Sequence, residues 1–153
     1  MRVNNTRRVT FLKKASRYFL ATKPICDNID AIIGLGGLTL EANELAHAVV
    51  EIIAGKKASN IVMLDMRAVT LLTDYFVLCD GASTRQVGAI VDGLLDELKK
   101  AGSQPALVEG TPESGWMLVD FGSVIVHIFS PEQRAYYQLE ELWQEAPMVV
   151  RML

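Results

Sequence analysis

The sequence predicts one α/β domain, a mixed sheet of about five strands with helices packed on it, over residues 39–146. Two observations predict it. Segments with helical and with strand patterning follow one another in the order α-β-β-α-β-β-β-α, with no internal repeat. Half of the 153 residues are hydrophobic and 22% are charged, enough apolar material for a buried core and too little charge for disorder along the whole chain. No apolar run approaches the roughly 20 residues that a membrane-spanning helix requires.

Thr39 is placed to cap a helix whose apolar residues Ala42, Leu45, Ala46, Val49, Ile52 and Ile53 keep helical spacing, with Gly55 as its stop. Ile61–Leu64 reads as a buried strand ending near Asp65, and Tyr75–Cys79 as a second, rich in aromatic and β-branched residues. Gly81-Ala82-Ser83 turns the chain. Ser83 and Gln86 have capping-box spacing at the head of a helix running through Val87, Ile90, Val91, Leu94, Leu95 and Leu98, with Asp96 and Lys100 spaced as an i,i+4 pair and Gly102 at its end. A strand follows near Ala106–Val108. Trp116–Val119 and Val124–Phe129 read as paired strands joined at Phe121-Gly122-Ser123. Ser130-Pro131-Glu132-Gln133 combines a cap, a proline in the first turn and a closing glutamine. The last helix carries Ala135, Leu139, Leu142 and Trp143 inward and stops before Pro147, which leaves 147–153 as a C-terminal tail.

Residues 1–38 read differently. Residues 1–37 hold seven basic and two acidic residues, a balance of +5; with −3 for the whole chain, residues 38–153 carry −8. No acid stands between Arg2 and Lys23, and Phe11, Leu12, Ala15, Tyr18 and Phe19 share one helical face. Three readings stay open for 1–38: a leader resembling a mitochondrial presequence, a tail that orders only on a partner, or an incidental, flexible extension from an upstream start codon. The acidic body argues against a broad phosphate-gripping surface, because nucleic-acid affinity needs clustered Lys and Arg.

Most catalytic chemistries lack their residues here. There is no P-loop and no nucleophile signature around His47 or His127, and His127 in mid-strand reads as a structural hydrogen-bonding residue. Two scattered cysteines, Cys26 and Cys79, and two histidines make a metal site or disulfide framework unexpected. Nucleotidyl transfer is the enzymatic alternative, since the Gly81-Ala82-Ser83 turn resembles a phosphate-holding strand-turn-helix. Such enzymes also need paired carboxylates for two metal ions, and Asp92 is followed two residues later by Leu94. The remaining polar and aromatic residues, Asp74-Tyr75-Phe76, Glu109-Gly110, Trp116, Asp120 and Arg134, Tyr136 and Tyr137, read together as an acidic, aromatic-studded face for protein recognition.

Those residues carry a resemblance. Asp74–Leu78, Gly81–Val87, Glu109-Gly110, Trp116–Asp120, Val124–His127, Arg134–Glu140 and Leu142-Trp143 are similar, in the same order, to the ribosomal silencing factor (Iojap) family. The resemblance implies a fold like that of nucleotidyltransferases without their catalytic carboxylates, and no enzymatic activity or cofactor. It implies binding to the large ribosomal subunit through its protein fourteen, which blocks joining of the small subunit and lowers translation. Organellar members are associated with large-subunit assembly, and members tend to form homodimers. The chain is accordingly expected in a bacterial cytoplasm, with the mitochondrial matrix as alternative, and without membrane or sequence-specific nucleic-acid partners. A −8 body suits a basic ribosomal protein. Trp116 is the expected anchor of the contact face, Asp120 and Asp80 the residues that meet basic side chains, and Tyr75, Arg134 and Tyr137 its further members. On that reading, replacing Trp116 by alanine and Asp120 by lysine abolishes binding and leaves the fold intact.

Overall fold

The first helix, α1 (Ala42–Gly55), turns Leu45, Ala46, Val49, Val50 and Ile53 inward, the spacing of one helical face. The computed structural model describes residues 40–153, which fall within one compact unit, Thr39–Leu153. The extension 1–38 and the expected cap Thr39 lie outside the described residues. The helix begins with Glu41 at its N-cap, whose N–H donates to Glu44 Oε2 at 3.3 Å. It ends at Gly55, as expected, and the left-handed turn that follows is made two residues on. Lys57 takes the left-handed conformation (φ 60°) and its N–H donates to Ala54 O at 2.9 Å.

Six strands follow rather than five: β1 (Ser59–Asp65), β2 (Tyr75–Asp80), β3 (Leu107–Glu109), β4 (Trp116–Asp120), β5 (Val124–Phe129) and β6 (Met148–Met152). They form one mixed sheet in the order β3-β4-β5-β2-β1-β6, in which β2 and β5 run parallel and every other neighbouring pair antiparallel. The expected tail is therefore corrected. Residues 148–152 pair with β1 as an edge strand, with Val62 opposite Arg151 and Met63 opposite Val150.

Between β2 and β3 lies α2 (Thr84–Lys100). Ser83 Oγ accepts from Gln86 N–H at 3.2 Å, so Ser83 caps the helix as expected, but the expected box does not close on Ser83: Gln86 Oε1 accepts from Ala82 N–H at 2.9 Å. Lys100 pairs with Glu97 at 3.1 Å, not with Asp96. Both helices pack on one sheet face, where Ile61, Met63, Tyr75, Val77, Cys79, Met117, Val119, Val124, Val126 and Ile128 meet them. The alternate residues of the same strands point the other way, since side chains alternate across a sheet. That second face is aromatic: Phe76, Trp116, His127 and Phe129.

The expected last helix is two short ones, α3 (Pro131–Tyr137) and α4 (Leu139–Leu142), bent at Gln138 in a left-handed conformation (φ 46°, ψ 54°). The bend turns Ala135, expected inward, out to solvent, while Leu139 is buried.

Gly110 explains one motif in backbone terms. Its φ is +91°, and a Cβ there would stand 2.3 Å from Trp116 O. Gly110→Ala is expected to cost about 2–4 kcal/mol, from a strained φ plus a clash with backbone that cannot swing away; urea unfolding against the wild type checks this.

Candidate functional site

The rows of the sheet decide which of the expected face residues meet. Asp80, Phe129 and Trp116 lie side by side across β2, β5 and β4 on the aromatic face. Above them, α3 brings Arg134 and Tyr137. Trp116 stacks on Phe129 with ring centroids 5.1 Å apart and meets Tyr137 at 4.4 Å. Its Nε1–H donates to His127 Nδ1 at 3.3 Å, the structural bond read for this histidine. Phe76 meets His127 edge-on at 4.9 Å and Trp143 at 6.0 Å.

Four expectations are corrected by this geometry. Trp116 is 4% exposed, a packed core residue rather than a protruding anchor. The strand is apolar on both faces, so its sequence carries no in–out alternation. Asp80 is equally buried, and the base it meets is the chain's own Arg134, at 2.8 Å; Asn60 Nδ2–H donates to its other oxygen at 2.7 Å. Arg134, with its side chain 11% exposed, is likewise spent inside the chain. Tyr75 lies on the opposite sheet face, in the helix-packed core with Arg67 over its ring.

Asp120 shares a face with Trp116 but sits at the far end of the same five-residue strand, roughly 13 Å away at the usual strand rise. Burial pushes its carboxyl above the ordinary carboxylate range, and the Gly122 N–H at 2.6 Å opposes this weakly. A raised native value means that the folded chain holds the proton longer than the unfolded one. This group's stabilising contribution is full at acidic pH and is lost as pH rises through that raised value. Asp120→Asn is expected to be at least as stable as wild type at neutral pH and to lose that decline, as thermal melts across an acid-to-neutral series would record. Asp65 behaves oppositely, held low by its hydrogen bond from Arg67 at 2.9 Å.

The structure thus gathers Trp116, Asp80, Arg134 and Tyr137 at one end of the sheet and separates Asp120 and Tyr75 from them. Two residues there were absent from the expected face, and a third, Tyr136, was read in that face but not chosen as a contact. Asn60 and Glu140 complete the polar cluster: Arg134 Nη2–H donates to Asn60 O at 3.1 Å, and Arg134 Nε–H to Glu140 Oε1 at 2.8 Å. Asn60 reaches Asp80 from a left-handed conformation (φ 49°) at an irregularity of β1. Tyr136, crossing Tyr137 edge-on at 5.1 Å, is 59% exposed and is the outward aromatic of this end. Its neighbourhood in the Arg-Ala-Tyr-Tyr run was a signal; nothing in sequence pointed to Asn60, 74 residues before Arg134.

Asp92 and Asp96 point to solvent along α2, away from any partner carboxylate pair at the Gly81-Ala82-Ser83 turn. Among the described residues no three His, Cys, Asp or Glu side chains are grouped to hold a metal ion, and no helix is long and apolar enough to cross a membrane. Cys79 is buried, which pushes its thiol up to about 12.

Residues 39–152 match the family model described as "Ribosomal silencing factor during starvation". The chain belongs to the ribosomal silencing factor family. The family span includes β6, so this edge strand is part of the silencing-factor domain. A ribosomal silencing factor of Bacillus subtilis is 44% identical over 93 residues, 61% of this chain and 79% of that protein. One from Halalkalibacterium halodurans is 40% identical over 106 residues, 69% of this chain and 91% of the relative. The mouse protein named "Mitochondrial assembly of ribosomal large subunit protein 1" is 37% identical over 97 residues, 61% of this chain and 42% of its own length. A crystal structure from Chromobacterium violaceum superposes with a TM-score of 0.66 at 33% identity, covering 72% of this chain and 94% of that one. The mixed sheet with helices is therefore the silencing-factor fold.

Proposed function

We propose that this protein is a non-enzymatic translational repressor that binds the large ribosomal subunit through its protein fourteen and sterically blocks joining of the small subunit. Family membership over residues 39–152 carries this reading. Charge supports it: the −8 body would speed encounter with a basic ribosomal protein and disfavour contact with rRNA. The docking face we propose is the α3 end of the sheet, with Tyr136 and the half-buried Tyr137 as contacts and Trp116 as the support beneath Tyr137. Glu113 and Glu132, both exposed, form its acidic rim. Asp120 and Tyr75 lie outside it. The mechanism is occupancy, so no turnover is needed. A bacterial cytoplasm and a homodimer are part of the same proposal. The mouse relative's name favours a second reading, an assembly factor on organellar large subunits, which would use the same face.

The test is sedimentation of the full chain with isolated ribosomal subunits. Co-migration with large subunits, and fewer joined ribosomes once small subunits are added, is expected. Tyr136→Ala should keep the fold, since the side chain is exposed, and weaken binding by about tenfold or more. Protein that stays at the top of the gradient would overturn the repressor reading; a fully binding Tyr136→Ala would overturn the face.

A further inference from the structure

We infer that Arg134 is the positioning residue of this docking face: it does not touch the partner, but locks the α3–α4 elbow onto the sheet and so sets where Tyr136 and Tyr137 stand. The inference rests on the reading of that face as the ribosome-binding one. The elbow is weak by itself. Its helices have seven and four residues, far below the roughly 12–15 at which a helix holds by itself. α3 contributes no buried residue to the core, and α4 only Leu139. Between them Gln138 occupies a left-handed conformation that only its surroundings can maintain.

Arg134 spans the gap. Nη1–H donates to Asp80 Oδ1 at 2.8 Å at the end of β2, Nη2–H to Asn60 O at 3.1 Å on β1, and Nε–H to Glu140 Oε1 at 2.8 Å on α4; Nη2 also meets Glu140 Oε1. One planar fork therefore ties both sides of the Gln138 bend to two strands. Its donors are directed at these partners and its side chain is nearly enclosed, which leaves it little to offer a docking protein. A lysine would keep the charge and lose the fork, because an ammonium on a flexible stem cannot hold three fixed directions at once. The two tyrosines follow Arg134 by two and three positions, so a shift of the elbow moves them directly.

Full-length Arg134→Lys, Glu140→Gln and the double variant would be compared with wild type in two ways: affinity for purified large subunits over a salt series, and near-ultraviolet circular dichroism of the aromatic side chains. Arg134→Lys is expected to fold, to bind about tenfold more weakly, to change the aromatic spectrum, and to leave the slope of log affinity against log salt unchanged. Glu140→Gln should shift both readouts the same way by less, and the double variant should be no worse than Arg134→Lys. If Arg134 instead gripped a phosphate, Arg134→Lys would bind nearly as wild type, and Arg134→Gln would lower the salt slope by about one; either result overturns positioning. A lower melting temperature with unchanged affinity and spectrum would also overturn it, as a merely structural role. Should Arg134→Lys not fold, Glu140→Gln decides alone. If wild type itself fails to bind large subunits, the ribosomal reading fails, and the spectra still decide whether Arg134 holds the elbow.

Discussion

Trp116→Ala should lose about 3–5 kcal/mol of folding stability, the range for removing a large buried aromatic side chain. The indole is nearly inaccessible and lies between Phe129 and Tyr137, with its N–H on His127 Nδ1. Alanine would leave a cavity between the sheet and α3, and a buried acceptor without its donor. Trp116→Phe, which keeps most of the ring contact and loses only the N–H, should cost about 1–2 kcal/mol. Urea unfolding of the three proteins measures both. A loss below 1 kcal/mol for alanine would contradict the packing described. The consequence for function is direct: the Trp116/Asp120 double variant expected from sequence to leave the fold intact would read unfolding as lost binding, whereas Tyr136→Ala separates the two.

Asp80→Ala is the second large effect, expected at about 2–3 kcal/mol, because it removes one of the two carboxylates that pair with a nearly enclosed guanidinium and takes the acceptor from Asn60 Nδ2–H. Asp80 anchors Asn60 as well as Arg134, so the β1 irregularity and the α3–α4 elbow both lose their hold on the end of β2. The loss is expected to come chiefly from buried donors of Arg134 and Asn60 left without their acceptor, Glu140 still balancing the charge, rather than from the net worth of the pair. Asp80→Leu combined with Arg134→Met should therefore recover much of it, as apolar replacement of both partners often does. Thermal and urea unfolding of the singles and the double form a cycle that decides the point. A double variant as unstable as Asp80→Ala would show that the cluster stabilises through geometry no apolar pair supplies. It would also be expected to lose ribosome binding, since it releases the elbow whatever its stability.

The sequence was most informative where the cause of structure is local. Ser83 and Ser130 cap their helices because a hydroxyl reaches an N–H three residues on, and that spacing is visible in the chain. The strands around Val77 and Val126 announce themselves as β-branched and aromatic runs. It was least informative at two places. Met148–Met152 is a strand because β1 offers an open edge to pair with, not because of any alternation in Met-Val-Val-Arg-Met. The break at Gln138 has no glycine to signal it, since the left-handed residue is held by contacts from strands 54 and 74 positions before Arg134.

The family, the α/β class and most element boundaries are legible in the chain, because caps, periodicities and linked motifs are written within a few residues of where they act. What the motif residues do was settled by packing. Trp116, Asp80 and Arg134 became interior packing and a buried ion cluster, Tyr75 went to the other face, and Tyr136 emerged outward. Those outcomes depend on which face a strand turns to α1 and α2, and on charges meeting across distant segments, quantities set by register and packing rather than by any local pattern.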